Sequence, residues 1–188
     1  IRQEIKALTV LGRENKSLDE DEQRVIRNIL DLHDIKVRDV MTPRTVCDYT
    51  SPDTSIEAFK EKVADSQFSR YPVLDGNEVP MGMIFRHELL NIQWQKTVSD
   101  LMKPVEVVSE KLSVEALMSQ LIHDRQHMRL VYNEYGVWLG LVTLEDVIEA
   151  VIGQPIMDET DDVPSMRRLA RRRWQYRQRY FSGGQAGE

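Results

Sequence analysis

Apolar positions along this chain change period several times, and the clearest change lies between Leu139 and Ile152. Leu139, Leu141 and Val142 make a short apolar run around Gly140, which suits a buried strand. Val147, Ile148 and Val151 then fall on one helical face, and Gly153 with Pro155 marks where that helix should stop. Thr143 stands at the change of period. Its side-chain oxygen can accept a backbone N–H there, and Asp146 three residues on puts a carboxylate in the first turn, a capping-box pattern.

Upstream, Ile1, Ile5, Leu8 and Leu11 recur at helical spacing, and Gly12 is expected to end that helix. Ser17-Leu-Asp-Glu20 reads as a second capping box. The helix it opens carries the acids Asp19 to Glu22 in its first turn, where the macrodipole favours them, and Val25, Ile26, Ile29 and Leu30 as its core face. The acids read as a solvated helix start rather than a cation site.

From Val37 the pattern runs twice. Val37-Arg-Asp-Val-Met41-Thr-Pro43 resembles Val98-Ser-Asp-Leu-Met102-Lys-Pro104, and strand, helix, strand, turn, strand, helix follow each. In the first copy these are Val46 to Tyr49, Ser55 to Ala64, Tyr71 to Leu74, the turn Asp75-Gly76-Asn77, Met81 to Ile84, and His87 to Ile92. In the second they are Val105 to Val108, Val114 to Ile122, Arg129 to Tyr132, the turn Asn133 to Gly136, Val137 to Val142, and the helix after Thr143. The offset is 61 residues from Pro43 to Pro104 and 58 from Gly82 to Gly140. A repeat at this period means two copies of one supersecondary unit packed face to face. The expected division is 1–35 for N-terminal linker helices, 36–97 and 98–155 for the repeats, and 156–188 for an acidic linker and an arginine-rich tail.

Composition narrows this little, but charge does more. The chain has 188 residues, 41% hydrophobic and 30% charged, which reads as soluble and globular with room for a real core. No apolar run approaches the ~18 residues that span a bilayer, and no signal peptide is visible. The first residue is Ile1 rather than Met, so a piece of a longer protein is expected. The single cysteine, Cys47, excludes an internal disulfide and fits a reducing compartment. The net charge of −6 hides an asymmetry: seven arginines lie between Arg167 and Arg179, and without that tail the body holds 18 bases against 30 acids. An acidic body argues against general nucleic-acid binding.

Thr143 and Asp146 put a hydroxyl and a carboxylate together at a strand-to-helix corner. Such a pair can hold the vicinal hydroxyls of a ribose, with backbone donors nearby to face phosphate. A capping box and nothing more is the competing reading, because such boxes are common.

At this point the residues resemble a known family. Two ~60-residue repeats, each led by Met-x-Pro, with a Gly-x-x-Thr-x-x-Asp corner, look like a tandem pair of CBS domains, a Bateman module. Lys36-Val-Arg-Asp-Val-Met-Thr-Pro-Arg44, Ser69-Arg-Tyr-Pro-Val73, His127-Met128, Asn133-Glu-Tyr-Gly136 and Gly140-Leu-Val-Thr-Leu-Glu-Asp146 are similar to the cytoplasmic modules of the CorB/CorC and cyclin M proteins, which are linked to magnesium and cobalt transport or efflux. The resemblance covers about Leu18 to Asp161. It implies an α+β fold of two CBS repeats, each β-α-β-β-α, packed about a pseudo-two-fold, with N-terminal helices and a C-terminal basic helix. It also implies a homodimer, on the cytoplasmic side of a membrane, that binds an adenine nucleotide (ATP with Mg2+, or AMP or ADP) and regulates a transmembrane domain not present in this chain. Catalysis is not implied, and neither is a nucleic-acid partner. Carried over residue by residue, Thr143 and Asp146 would hold the ribose, Arg70 would contact phosphate, and Val105 and Val107 would flank the adenine. In the first repeat Phe85 stands for the threonine and Glu88 for the aspartate, so one nucleotide site per chain is expected. Arg129 falls one residue out of register with Arg70 and should point to the opposite face of its strand.

Other clusters carry less. His123 and His127 are four apart but lack a third ligand in register, and read as structural or surface residues. Asp158-Glu-Thr-Asp-Asp162 lacks calcium-loop spacing and reads as a solvated linker. Met118 and Met128 read as packing. The tail from Met166 to Phe181 can form a basic amphipathic helix, for which anionic lipid, nucleic acid, and the acidic body of this or a partner chain compete as surfaces; docking on the body or lying at a membrane is favoured.

Overall fold

The computed structural model describes residues 1–66, 68–91 and 96–153. The acidic segment at 158–162, the arginine-rich tail and Pro155 lie outside the described residues. No helix among the described residues is long and apolar enough to cross a membrane.

Two helices open the chain, α1 (Arg2–Glu14) and α2 (Glu20–Asp31). α1 runs past Gly12 instead of ending there. The chain turns at Asn15 and Lys16, and Leu18 folds back over Gly12, where a Cβ would meet its Cδ1 at 2.9 Å. Gly12 is thus a packing position, not a C-cap. The cap of α2 also lies two residues later than the sequence suggests. Asp19 accepts from the Glu22 amide at 2.8 Å and Glu22 accepts from the Asp19 amide at 2.8 Å, so the aspartate takes the role expected of Ser17.

The first repeat contains α3 (Val37–Val40), β1 (Thr42–Pro43), α4 (Ile56–Val63), β2 (Arg70–Leu74) and β3 (Pro80–Phe85), then a 3-10 turn over Arg86–Asn91. The second contains α5 (Val98–Leu101), β4 (Glu106–Ser109), α6 (Val114–Asp124), β5 (Met128–Tyr132), β6 (Trp138–Thr143) and α7 (Leu144–Ile152). The strand expected over Val46–Tyr49 does not form. A 3-10 turn occupies Arg44–Val46, and only Thr50 reaches the sheet, in a parallel bridge to Val73. Val46 and Cys47 are apolar because they are buried, not because they alternate across a sheet.

The two sheets reveal how the repeats interlock. One has the order β1-β6-β5-β4, and the other pairs β2 with β3. β1, from the first repeat, pairs with β6 of the second through Thr42–Leu141 and Pro43–Gly140. Reciprocally, Lys103 of the second repeat bridges Met83 of β3 in the first. Each Met-x-Pro lead-in therefore crosses to the other repeat, and the same exchange continues into the cores. Val37 and Val40 pack with Val108, Val114, Leu117, Val131, Val142 and Val147 of the second repeat. Val98 packs with Ile56, Phe59, Tyr71, Val73 and Ile84 of the first. A third cluster joins the repeats: Cys47, Leu74 and Met83 from one, Met128, Leu130, Trp138 and Leu141 from the other. A pseudo-two-fold axis relates the exchanged elements, and the mixed α+β fold is a tandem pair of interlocked repeats.

Candidate functional site

β6 ends where α7 begins, and Thr143 belongs to both. The Thr143 backbone amide donates to Asp146 Oδ2 at 2.8 Å, its hydroxyl donates to the same oxygen at 3.1 Å, and the Asp146 amide lies 3.3 Å from Thr143 Oγ1. The capping box is real, and it leaves Asp146 in an unusual state. The residue is only 6% exposed. Burial pushes its carboxyl up from 3.8 to about 7; the Thr143 hydrogen bonds pull the other way, while Glu149 and Glu145 add to the rise. Both bonds that the carboxylate accepts fall on Oδ2 and neither uses Oδ1, so it keeps an oxygen for a further donor.

Strand register decides what surrounds this corner. Thr143 is paired with Met128, Leu141 with Leu130, and Leu130 with Val107. Paired residues share a face, so Thr143, Leu141, Met128, Leu130 and Val107 lie on the side of the sheet that meets the first repeat. Val107 is 48% exposed although it lies on that side. Val105 lies just before β4 and packs against the cluster between the repeats. Val105 and Val107 thus give the cleft an apolar edge on the strand farthest from β1.

Arg70 reaches the same end of the cleft from the other repeat. It opens β2, its guanidinium lies 5.5 Å above the Phe85 ring, and its Nη2 is 3.5 Å from His127 Nδ1. His127 immediately precedes Met128, the partner of Thr143, and its carbonyl accepts from the Leu144 amide at 2.9 Å. The structure therefore brings Arg70 and the Thr143–Asp146 corner to one end of the cleft through a single residue.

Two further polar residues lie at the cleft beyond those the sequence suggests. Thr42 lies in β1, opposite Leu141, and is 1% exposed; its Oγ1 finds no hydrogen-bond partner among the described residues. An unpaired buried hydroxyl costs on the order of 1–3 kcal/mol, which a ligand donor or acceptor would relieve. The signal in sequence was the hydroxyl in the first Met-x-Pro lead-in, where the second has Lys103. His127 reads from the sequence as a structural or surface residue, with no part in nucleotide binding. Among the described residues no group of three His, Cys, Asp or Glu side chains is placed to hold a metal ion.

Arg129 faces away, as its register implies. It is 1% exposed and donates to Asp124 Oδ2 at 2.5 Å and to Gln126 Oε1 at 2.8 Å on the α6 side of the sheet. Asp124→Ala is expected to lower stability by about 2 kcal/mol, because it strands a buried guanidinium; the denaturation midpoint measures it. The first repeat's corner differs from the second. Glu88 is ion-paired to Lys103 at 3.2 Å, with its other oxygen buried and unpartnered among the described residues, and Phe85 packs against the cluster between the repeats.

Comparison with known proteins finds the same pair of repeats. The CBS domain family matches twice, over residues 37–94 and 98–153. A UPF0053 protein of Synechocystis is 32% identical over 92% of this chain and 51% of its own length. The magnesium and cobalt efflux protein CorC of Vibrio cholerae is 29% identical over 86% of this chain and 57% of its own. The chain thus spans little more than half the length of these relatives. A solved CBS domain of the bacterial CNNM/CorC family Mg2+ transporter superposes with a TM-score of 0.78 at 29% identity, covering 83% of this chain and 98% of that one. A structure of that family's CBS domain in complex with ATP superposes at 0.68 with 30% identity, covering 71% and 98%.

Proposed function

The chain belongs to the CBS-domain family, as a tandem pair of the CorC/CNNM kind, and from that premise we propose that it is a regulatory module that binds one adenine nucleotide, ATP with Mg2+, between its repeats. The observation that carries this reading is the Thr143–Asp146 corner, with a free carboxylate oxygen beside an apolar, half-open strand face. Asp146 Oδ1 and Thr143 would take the ribose hydroxyls. Val105 and Val107 would flank the adenine, and Thr42 offers its unpaired hydroxyl to the base or sugar. Arg70 would meet phosphate, and a related CBS domain known in complex with ATP supports that ligand class. The Glu88–Lys103 pair and Phe85 in the first repeat's corner favour one site per chain.

The module would act by population shift. Nucleotide binds best to one arrangement of the repeats and so biases whatever they are joined to. The helices α1 and α2 would pass the change to the membrane part of a longer protein, on its cytoplasmic side, controlling magnesium or cobalt transport or efflux. Exposed Ile122, Ile148 and Ile152 on α6 and α7 support pairing with a second copy. Calorimetric titration of ATP, with and without Mg2+, is the test. One-to-one binding per chain supports the reading, and no heat with ATP, ADP or AMP overturns it. Arg70→Ala is expected to weaken ATP by about tenfold, the loss of one charge-assisted contact, while leaving adenosine binding within about twofold.

A further inference from the structure

We propose that a cleft between α1 and α2, beside the end of α7, is the docking site of this chain's own acidic segment, Asp158 to Asp162. The cleft has a volume of about 280 Å3 and is lined by Arg13, Glu20, Gln23, Arg24, Arg27 and Asn28. Five of these six lie at i, i+3, i+4, i+7 and i+8 of α2, so they share one face of that helix. Three arginines line it and meet two carboxylates, Glu20 in the lining and Asp21 beside it, which engage them unevenly. Arg13 and Glu20 are 3.9 Å apart and exposed. Arg24 divides itself between Asp21 at 2.7 Å and the Ile152 carbonyl at 3.1 Å. Among the described residues no carboxylate lies within ion-pair distance of Arg27, and it is exposed. The cleft therefore presents excess positive charge on an otherwise acidic body.

The path of the chain names the occupant. Asn28 Nδ2 donates to the Val151 carbonyl at 3.0 Å, and a Cβ on Gly153 would meet Asn28 Nδ2 at 2.9 Å and Arg24 Cδ at 3.2 Å. The chain thus leaves α7 at the rim of the cleft. Asp158 follows five residues later, a span of at most ~17 Å. Four carboxylates then occupy five positions: Asp158, Glu159, Asp161 and Asp162. A segment this acidic, tethered this closely, meets the arginines at a high effective concentration, so even exposed ion pairs worth ~1 kcal/mol or less each suffice. The docked segment would clamp α2 to the far end of the helix that starts at Thr143 and Asp146, tying the N-terminal helices to the corner of the cleft. This inference does not depend on the identity of the nucleotide.

Disulfide trapping in the full 188-residue chain tests it. Arg27→Cys is combined with Asp161→Cys and exposed to a mild oxidant. The control pair is Ile29→Cys with Asp161→Cys: Ile29 is 48% exposed and lies about 200° round the same helix. Cys47 is buried, with its thiol pushed up to about 12 by burial, and stays out of the reaction. The Arg27 pair should close within one chain at least about tenfold faster than the control, and about 1 M salt should erase the difference. Exchanging Asp158, Glu159 and Asp162 for asparagine in the Arg27 pair should bring its rate down to the control. Equal rates for the two pairs, a rate indifferent to those exchanges, or a crosslink that joins two chains would each overturn the proposal.

Discussion

Replacing Asp146 with alanine should weaken adenine-nucleotide binding by about 100- to 1,000-fold and, at the same time, make the empty protein more stable above pH 7. The first effect follows from losing the charge-assisted bond from one ribose hydroxyl to Asp146 Oδ1 together with the carboxylate that orients Thr143 toward the other, in all about 3–4 kcal/mol. The second follows from the state of the carboxyl. Its pKa rises from 3.8 in the unfolded chain to about 7 in the folded one, chiefly through burial. Between those values the folded protein holds a proton that the unfolded chain has released, so stability falls as pH rises from about 4 to about 7, by up to about 4 kcal/mol. Above pH 7 the whole cost is in place. Alanine removes it and loses only the cap bonds to Thr143, worth about 1 kcal/mol. At pH 8 the variant's Tm should therefore rise by about 5–10 °C, whereas at pH 4, where the native carboxyl is protonated without cost, it should fall slightly. A Tm that drops equally at both pH values would mean that Asp146 is only a cap. The same linkage makes ATP affinity pH-dependent. A ribose diol donates to the ionised carboxylate, so binding should weaken below pH 7, approaching tenfold per pH unit, and the alanine variant should show no such slope.

This opposition of binding and stability explains which parts of the site could be read from sequence. The Thr143–Asp146 corner is a local pattern: cap, three-residue spacing and apolar helix face all lie within ten residues, and the hydrogen bonds fall where that pattern puts them. Arg129's orientation was also legible, because strand parity needs only a register. Thr42 was not. Its partner Leu141 is 99 residues away, and only the exchange of lead-in segments between the repeats buries its hydroxyl in the cleft. His127 stands beside Arg70 for the same reason, since the two belong to different repeats. Three departures from the local pattern share one cause. Gly12, Val46 and Cys47 were assigned from intrinsic preference, but packing decided all three: Leu18 covers Gly12, and the cluster between the repeats buries the segment after Pro43.

Gly140→Ala should cost the protein about 4 kcal/mol or more, because Gly140 is where the exchange of lead-in segments is closest. Its φ is +151°, and a Cβ there would lie 2.0 Å from the Thr42 carbonyl oxygen and 3.0 Å from Pro43 Cα. Neither obstacle is the end of a flexible side chain. Relief requires β1 to lift from β6, which breaks the Thr42–Leu141 and Pro43–Gly140 pairs and disturbs the Trp138 indole bond to the Gly140 carbonyl, now 2.8 Å. Tm should fall by about 10 °C or more. Nucleotide affinity should fall with it even where the variant is still folded, since β1 carries Thr42 into the cleft. The pseudo-two-fold supplies graded controls. Gly82 meets the Lys103 carbonyl at 2.5 Å without a left-handed φ, so Gly82→Ala should cost less, about 2 kcal/mol, and spare the Thr143–Asp146 corner. Gly76 sits in a turn with nothing within 4 Å, and Gly76→Ala should be close to neutral. If all three substitutions shifted Tm alike, the close approach of β1 to β6 would not be what holds the two repeats in register. If Gly140→Ala alone lost both stability and nucleotide, the reciprocal strand exchange would be the element that joins the fold to its ligand site.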